Sequence, residues 1–348
     1  MKEVDFERLV LIMGGHSAFQ LLWAGVELGL FDLLSESPNL TRAEIAERLG
    51  LQDYPCRVLL IGLTALGLTV KDADRYRNAS LVDEWMVKDK PRSAAPILGW
   101  QAHIVYPGLQ DFVASLKRGT NVGLSRFPGA GNDLYHRLTG HPELEQVFQD
   151  SMSALSLQAN QHLLGAYDFG RFKHIIDAGG GDGTNAIALA RQHPDLKVTI
   201  YDSASVCQIA RAKIKAAGLS DRVDTHVGDF RQDPFPPGAD GVLFCHMFTI
   251  WSIEHDKQIL EKCKDALAPG GAVMIFNMMG NNDDSGPLVT ALGSPYFLAI
   301  ATGEGMLHAW QDYENAMREV GFTRVEHVDT LPLSHGLIVG FTSGGANV

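Results

Sequence analysis

The sequence is poor in cysteine, in positive charge and in long hydrophobic runs, and each shortage excludes a class of protein. Its four cysteines lie far apart without a Cys-x-x-Cys pair, which argues against a zinc site and a disulfide framework. Its 29 lysines and arginines face 41 aspartates and glutamates, and this net charge of −12 disfavours binding to nucleic-acid phosphates. No apolar run approaches the ~18 residues that cross a bilayer, and the charged residues 1–5 do not begin a signal peptide. We therefore expect a cytoplasmic protein that binds neither nucleic acid nor a membrane.

What the chain has in plenty is length, hydrophobic residues and glycine. Its 348 residues exceed one ordinary domain core and suit two domains. Hydrophobic residues at 45% and charged residues at 20% are typical of folded globular proteins. Thirty-six glycines, several of them clustered, indicate a site for a small molecule.

The first hundred residues predict short helices and a small β-ribbon. Thr41 and Glu44 form a capping box that opens a helix, and Gly50 closes that helix. A second, apolar helix over residues 54–66 and a ribbon over residues 67–77 follow it. Two helices, a turn and a ribbon in this order are typical of a winged helix.

This winged helix lacks the side chains that read DNA. Arg57 is the only cation of its second helix, whereas a recognition helix needs arginine, lysine, asparagine or glutamine to reach base edges. We therefore interpret residues 1–100 as an all-helical winged-helix domain for packing or dimerisation. Residues 101–165 continue with helical periodicity around a glycine-rich loop, and we assign them to a linker and substrate-pocket region.

From residue 166 onward, short apolar strands alternate with helices. The predicted strands cover residues 174–178, 197–201, 223–227, 241–245 and 272–277. Such alternation implies an α/β domain with a doubly wound, mostly parallel sheet that helices cover on both faces. We therefore predict a Rossmann-like domain over residues 166–348.

The densest motif of the chain is DAGGGDG at residues 177–183, between the first of these strands and its helix. Glycine side chains leave room for a ligand to approach the backbone. The spacing differs from the GxGxxG of dinucleotide sites, and no lysine follows as in a phosphate-binding loop. Asp177 would repel a pyrophosphate, but it suits a ligand that carries an ammonium group.

Residues that follow the next two strands narrow the choice of ligand further. Asp202 ends the second strand, about twenty residues beyond the glycines, where an acid accepts ribose hydroxyls. Gly228-Asp229-Phe230 follows the third strand and offers an acid and an aromatic ring to an adenine. A ligand with an ammonium group, an unphosphorylated ribose and an adenine is S-adenosylmethionine.

With these motifs in order, the chain resembles the two-domain class I S-adenosylmethionine-dependent methyltransferases of the plant caffeate and isoflavone O-methyltransferase type. It looks most similar to their bacterial branch, which acts on aromatic and polyketide antibiotics and on phenazines. The resemblance covers nearly the whole chain and implies a homodimer formed through the N-terminal domain. It implies S-adenosylmethionine as cofactor and S-adenosylhomocysteine as product, and no spaced histidine and carboxylate cluster calls for a metal. The cofactor contacts expected on this basis are Asp177, Gly179, Gly180, Gly181, Gly183, Asp202, Ser203, Gly228, Asp229, Phe230, Cys245, His246 and Trp251.

One position departs from the family pattern. Plant-type members read His-Asp-Trp after the fourth strand, with the histidine as general base, whereas this chain reads Thr249-Ile250-Trp251. Threonine has no useful basicity at neutral pH. Thr249 therefore takes the place of the base, and His246 and His308 are the replacement bases that we favour.

Three hypotheses for the chemistry stay open. Methyl transfer proceeds mainly by proximity, or the acceptor is a carbon or nitrogen for which hydroxyl deprotonation is less decisive. In the third, the fold binds S-adenosylmethionine but acts as a pericyclase, isomerase or hydroxylase. We expect methyl transfer to a small aromatic or polyketide-like secondary metabolite, with oxygen as the preferred acceptor.

The expected acceptor pocket is apolar and aromatic, which suits a flat substrate. Relatives often carry an acid at the position of Asn277. The candidate pocket residues are His103, Tyr106, Phe148, Met152, Thr249, Asn277, Met278, Tyr296 and Trp310.

Overall fold

The fold is taken from a computed structural model that describes residues 3–329 and 331–344, so the first two residues of the charged start lie outside it. The chain divides into two compact units. The N-terminal unit contains residues 1–103 and 146–154, and the C-terminal unit contains residues 104–145 and 155–348.

The N-terminal unit consists of short helices and one small sheet. The helices are α1 (Phe6–Met13), α2 (Gly15–Glu27), α3 (Leu30–Glu36), α4 (Arg42–Leu49), α5 (Asp53–Ala65), α6 (Ser80–Trp85) and α7 (Ala95–Trp100). The strands β1 (Leu40–Thr41), β2 (Thr69–Asp72) and β3 (Arg75–Asn78) pair antiparallel in the order β1-β3-β2.

The predicted local signals of this unit are confirmed. The Thr41 hydroxyl accepts a hydrogen bond from the Glu44 amide at 3.3 Å, and the Glu44 carboxylate accepts one from the Thr41 amide at 2.7 Å. Gly50 ends α4 with a φ of 65°, a conformation that glycine adopts without strain. The predicted ribbon is present as β2 and β3, so α4, α5 and the ribbon follow the winged-helix order.

The C-terminal unit holds most of the remaining helices and all strands of the large sheet. Its helical segments are α8 (Tyr106–Gly108), α9 (Phe112–Arg118), α10 (Leu134–Leu138), α12 (Thr184–Gln192), α13 (Ala204–Ala216), α14 (Ile253–Ala266), α15 (Leu288–Tyr296) and α16 (Trp310–Val320). The long helix α11 (Pro142–Ala166) contributes residues to both units. The strands are β4 (His174–Ala178), β5 (Lys197–Asp202), β6 (Val223–Val227), β7 (Gly241–Cys245), β8 (Ala272–Met278), β9 (Arg324–Val328) and β10 (His335–Phe341).

Seven strands form the large sheet in the order β6-β5-β4-β7-β8-β10-β9. Strands β4 to β8 pair in parallel, as predicted, whereas β10 pairs antiparallel with both β8 and β9. The sequence reasoning did not predict β9 or β10. The mostly parallel α/β architecture is confirmed.

Helices cover both faces of the sheet because its central strands β4, β7 and β8 are buried on both sides. Leu260 of α14 and Met317 of α16 pack in the core on one face. Ala190 of α12 and Ile214 of α13 pack in the core on the other. The strand order reverses at β4, whose neighbours are β5 and β7, and ligands of such sheets bind at the carboxyl ends of the strands there.

Among the described residues, no single helix is long and apolar enough to cross a membrane. Helices α1 and α2, which meet at a bend of 67°, reach that length and hydropathy only when they are taken together.

Candidate active site

The glycine turn after β4 has a backbone that ordinary side chains would strain. Gly179 and Gly183 have φ values of 70° and 83°, in the left-handed region that glycine tolerates. A Cβ atom on Gly179 would lie 2.7 Å from the Met247 sulfur, and one on Gly183 would lie 2.9 Å from the Ile200 Cδ1 atom. The predicted motif therefore forms a turn of bare backbone at the switch point of the sheet.

The carboxylate of Asp177 is buried next to this turn. Its side chain is fully buried, and neither carboxylate oxygen has a hydrogen-bond partner among the described residues. Burial raises the pKa of this carboxyl to about 7, and the negative charge of Asp202 adds to the shift. A buried carboxylate without donors is complementary to a ligand that brings a cationic donor.

Asp202 links the first turn to the second. One of its carboxylate oxygens accepts a hydrogen bond from the Gly181 amide at 3.0 Å, and the other accepts one from the Ser203 amide at 2.7 Å. Burial raises the pKa of this carboxyl as well. The predicted ribose acid therefore lies next to the glycine turn, with acceptor capacity beyond these two bonds.

A third carboxylate, Asp182, caps α12. It accepts hydrogen bonds from the Thr184 amide at 3.0 Å and the Thr184 hydroxyl at 2.5 Å, and it forms an ion pair with Lys213. The N-terminus of such a helix holds the pyrophosphate in dinucleotide sites. Here the chain's own carboxylate lies at that end of the helix, which disfavours a phosphate-bearing ligand.

Two aromatic side chains, one in the segment after β6 and one in the segment after β7, pack against each other. Phe230 and Trp251 are both buried, and their rings contact edge to face with centroids 6.0 Å apart. Asp229 pairs with Arg231 at 2.9 Å, and the Arg231 guanidinium lies over the Trp251 ring. Gly228 packs on Tyr201, since a Cβ atom there would lie 2.7 Å from that ring.

The end of β7 carries Cys245 and His246. Burial raises the pKa of the Cys245 thiol well above its usual range. His246 has a φ of 58°, an uncommon conformation for a residue other than glycine. Its ring lies against Phe276 and His335 at centroid distances of 5.3 and 5.1 Å, and burial together with His335 lowers its pKa to about 3.

The loop after β7, residues 246–251, is held by its own carbonyl groups. The Thr249 hydroxyl donates to the His246 carbonyl at 3.3 Å, and the Tyr313 hydroxyl donates to the Phe248 carbonyl at 2.7 Å. The Thr302 hydroxyl donates to the carbonyl of Ile250. Thr249 is only 2% exposed, so it is packed into the loop.

Two other candidates of the sequence reasoning are part of the same network. Asn277 is fully buried and donates its side-chain amide to the Tyr313 hydroxyl at 3.0 Å. A ring nitrogen of His308 lies 3.3 Å from the Trp251 carbonyl, an acceptor, so that nitrogen carries the proton. Both residues therefore hold the loop in shape.

The other predicted pocket residues fall into two groups. In the C-terminal unit Tyr296 is buried, Tyr106 and Met278 are half-buried, and Trp310 stacks on His327 with centroids 5.2 Å apart. The N-terminal unit contains His103, which contacts Trp23, and also Phe148 and Met152. The structure thus brings together the predicted cofactor residues, and the full pocket stays a prediction.

Sequence reasoning missed several residues of this site. Met247 covers Gly179, Lys213 pairs with Asp182, and Tyr313 connects Asn277 to the loop. Asp182 was visible inside the glycine motif, but no local pattern pointed to the others. Among the described residues, no group of three or more histidine, cysteine or acidic side chains is arranged to hold a metal ion.

Two family models match the chain. Residues 106–323 match an O-methyltransferase domain, and residues 10–88 match an O-methyltransferase dimerisation domain. These matches confirm the family expected from the sequence.

Individual proteins are similar over almost the full length. An L-tyrosine C(3)-methyltransferase of Streptomyces lavendulae is 39% identical over 97% of this chain and 93% of the relative. A 3-hydroxy-5-methyl-1-naphthoate 3-O-methyltransferase of Streptomyces sahachiroi is 31% identical over 92% of this chain and 91% of the relative.

A solved structure agrees with these matches. The S-adenosylmethionine-dependent methyltransferase SibL, in its apo form, is 39% identical and superposes with a TM-score of 0.83 over 97% of this chain and all of SibL. Three features of the site fit S-adenosylmethionine. They are the buried Asp177 carboxylate, the glycine turn without side chains, and the Asp182 carboxylate at the N-terminus of α12, where a phosphate would otherwise bind. The chain belongs to the O-methyltransferase family with its dimerisation domain, and it is an S-adenosylmethionine-dependent methyltransferase.

Proposed function

We propose that this enzyme methylates a small hydroxylated aromatic compound of secondary metabolism at a ring carbon. The L-tyrosine C(3)-methyltransferase, at 39% identity, is more similar to this chain than the naphthoate O-methyltransferase at 31% or the N,N-dimethyltransferase OxyT of Streptomyces rimosus at 28%. This comparison supports carbon over the oxygen that the sequence reasoning preferred.

The observation that carries the proposal is the state of the loop after β7. Thr249 lies where the family base is expected, and its hydroxyl donates to the His246 carbonyl. Asn277, where relatives often carry an acid, donates to Tyr313. Neither side chain takes up a proton at neutral pH, so a hydroxyl acceptor finds no base there.

The two alternative bases are also weakly suited to the task. The His308 ring nitrogen that faces the loop carries the N–H and donates it to the Trp251 carbonyl, so it is not free to accept a proton. Burial also lowers the pKa of this imidazole. The pKa of His246 is lowered further, to about 3. We therefore favour transfer by proximity, in which the protein aligns the ring carbon with the methyl group. The new carbon–carbon bond forms as the bond between the methyl group and the sulfonium sulfur breaks, and the methylated ring carbon then releases its proton to solvent, which restores the aromatic ring.

We propose the following roles for the cofactor site. S-adenosylmethionine supplies a methyl group on a positively charged sulfonium. Asp177 pairs with the α-ammonium group, Asp202 accepts the ribose hydroxyls, and Asp229 with Phe230 holds the adenine. The amides of the glycine turn, Cys245 at the end of β7 and the first residues after β7 complete the contacts.

We further propose a homodimer formed through the N-terminal unit. None of the residues of α1 is buried, and its apolar residues Phe6, Ile12 and Met13 are exposed. Tyr54 and Ile61 stand exposed on α5, the helix that would read DNA in a winged helix. An apolar rather than basic outer face favours a protein partner, and the match to a dimerisation domain over residues 10–88 supports a second copy of this chain.

The acceptor proposal predicts an aryl methyl product. Incubation with methyl-labelled S-adenosylmethionine and a panel of phenols that includes L-tyrosine should give a ring-attached methyl group, detected by NMR. One S-adenosylhomocysteine should form for each product. A methoxy product would move the acceptor to oxygen, and turnover without S-adenosylhomocysteine would favour the pericyclase, isomerase or hydroxylase alternative.

The proximity mechanism predicts small effects of the candidate bases. A positioned general base contributes about 10²- to 10⁴-fold to a rate. We expect kcat to fall less than about threefold in Thr249→Val and less than about tenfold in His246→Gln. The measurement is kcat at saturating substrates, and a loss of about 100-fold or more in His246→Gln would establish that histidine as a base instead.

Cofactor binding is predicted to weaken in acid. Burial raises the pKa of Asp177 to about 7 in the free protein, so below that pH the carboxyl is protonated and no longer pairs with the ammonium. The Kd for S-adenosylhomocysteine should therefore rise by up to about tenfold per pH unit below 7. Calorimetry between pH 6 and pH 8 measures it.

Two controls isolate the Asp177 carboxylate. Methylthioadenosine keeps the ribose and adenine but lacks the ammonium, so its Kd should stay constant over this pH range. Asp177→Asn should bind S-adenosylhomocysteine more weakly at pH 8 and lose the pH dependence. An unchanged pH dependence in that variant would refute the assignment.

The dimer proposal predicts that charged substitutions on the exposed apolar residues of α5 lower the mass of the particle in solution from dimer to monomer. Wild type should sediment as about twice the 37.9 kDa of one chain, and the double variant Tyr54→Glu/Ile61→Glu as a monomer, because burying two carboxylates in an interface is costly. Val113→Glu/Leu116→Glu, on residues that are also more than half exposed but lie on α9, is the matched control. A dimeric α5 variant would place the interface elsewhere.

A further inference from the structure

One lysine of α13, the helix after β5, lies next to the glycine turn. The Lys213 ammonium of α13 forms an ion pair with the Asp182 carboxylate, although 31 residues separate them in the chain. The side chains are 48% and 21% exposed, so the pair lies at the edge of the site. Lys213 is not among the proposed cofactor contacts, and these contacts give it no role in methyl transfer.

Asp182 is the single side chain through which the glycine turn can be held. Gly179, Gly180, Gly181 and Gly183 offer none. Gly183, the N-cap residue of α12, makes no side-chain capping bond, and the Asp182 carboxylate accepts from the Thr184 amide in its place. The position of this one carboxylate therefore fixes how the turn enters α12.

Besides the backbone bond from the Gly179 amide to the Tyr201 carbonyl, side chains attach the turn to the β5 side of the sheet at two points. At one of them, the Gly181 amide donates to Asp202, the last residue of β5. At the other, Lys213 of α13 holds Asp182. Without the ion pair to Lys213 the turn loses one of these attachments, and several of its glycines have wide conformational freedom.

We propose that Lys213 is a positioning residue for the cofactor: by pairing with Asp182 it preorganises the glycine turn on which the cofactor binds. A preorganised turn loses less conformational entropy when the ligand arrives, and the gain appears in affinity. Lys213 does not touch the reacting atoms, so the rate of transfer from the bound cofactor is left unchanged. This inference concerns the cofactor alone and does not depend on the acceptor.

The test compares Lys213→Met with Lys215→Met. Lys215 is exposed on the same helix and forms no ion pair with the turn among the described residues, so it is the matched control. Calorimetry should show the Kd for S-adenosylhomocysteine rising by roughly three- to tenfold in Lys213→Met, as expected for a partly exposed ion pair. Lys215→Met should bind as wild type does, and Lys213→Arg should restore affinity to within about twofold.

A second pair of variants checks that Lys213 acts through Asp182. In an Asp182→Asn background, Lys213→Met should change the Kd by less than about twofold, because the ion pair is already absent. With any accepted substrate, KM for S-adenosylmethionine should rise in Lys213→Met while kcat stays within about twofold of wild type.

Three results would overturn the proposal. They are a wild-type Kd in Lys213→Met, an equal loss of affinity in Lys215→Met, and a full additional loss in the Asp182→Asn background. Because binding is measured without an acceptor, a failure of the ring-carbon proposal would leave this measurement untouched.

Discussion

The hydrogen bond from the Gly181 amide to the Asp202 carboxylate, 3.0 Å long, is the interaction on which the cofactor site depends. It joins the turns after β4 and β5, which parallel pairing brings side by side with Ala178 opposite Tyr201. Two backbone bonds extend the link, from the Gly179 amide to the Tyr201 carbonyl and from the Gly228 amide to the Asp202 carbonyl. The turns after β4, β5 and β6 therefore form one continuous edge, and the ligand meets a surface that is already assembled.

The charges along that edge decide which ligand it accepts. Four carboxylates lie there: Asp182 pairs with Lys213 and Asp229 with Arg231, whereas Asp177 and Asp202 pair with no cation among the described residues. Asp177 is buried without a donor among the described residues, and the charge of Asp202 raises its pKa further. Bringing in a cation relieves this repulsion, whereas bringing in a phosphate adds to it. The same sheet topology that serves dinucleotides elsewhere is thus turned toward a cationic cofactor by its acidic side chains.

The parts of the fold that sequence reasoning predicted are those with local signals. Strands β4, β7 and β8 are short, largely apolar runs, and the glycine turn is contained in seven consecutive residues. Strand β9 has two adjacent polar residues, Glu326 and His327, near its middle, so it is neither an apolar run nor a regular alternation. Strand β10 pairs with β8 from more than fifty residues away. The role of His308 depends on a contact with Trp251 across 57 residues, which no local periodicity reveals. Local pattern predicts elements and turns, while the use of a buried polar side chain is decided by tertiary contacts.

The loop after β7 keeps its shape through hydrogen bonds between side chains and its carbonyl groups. The carbonyls of His246, Phe248, Ile250 and Trp251 each accept a hydrogen bond from a side chain. Two of the four donors come from positions where sequence reasoning expected catalysis, Thr249 and His308, and Asn277 supports a third through Tyr313. Polar groups committed to backbone carbonyls in this way are costly to remove and give the loop a single conformation. Side chains that hold the loop in this way favour a role in aligning the methyl acceptor with the reactive sulfonium over a role in proton transfer.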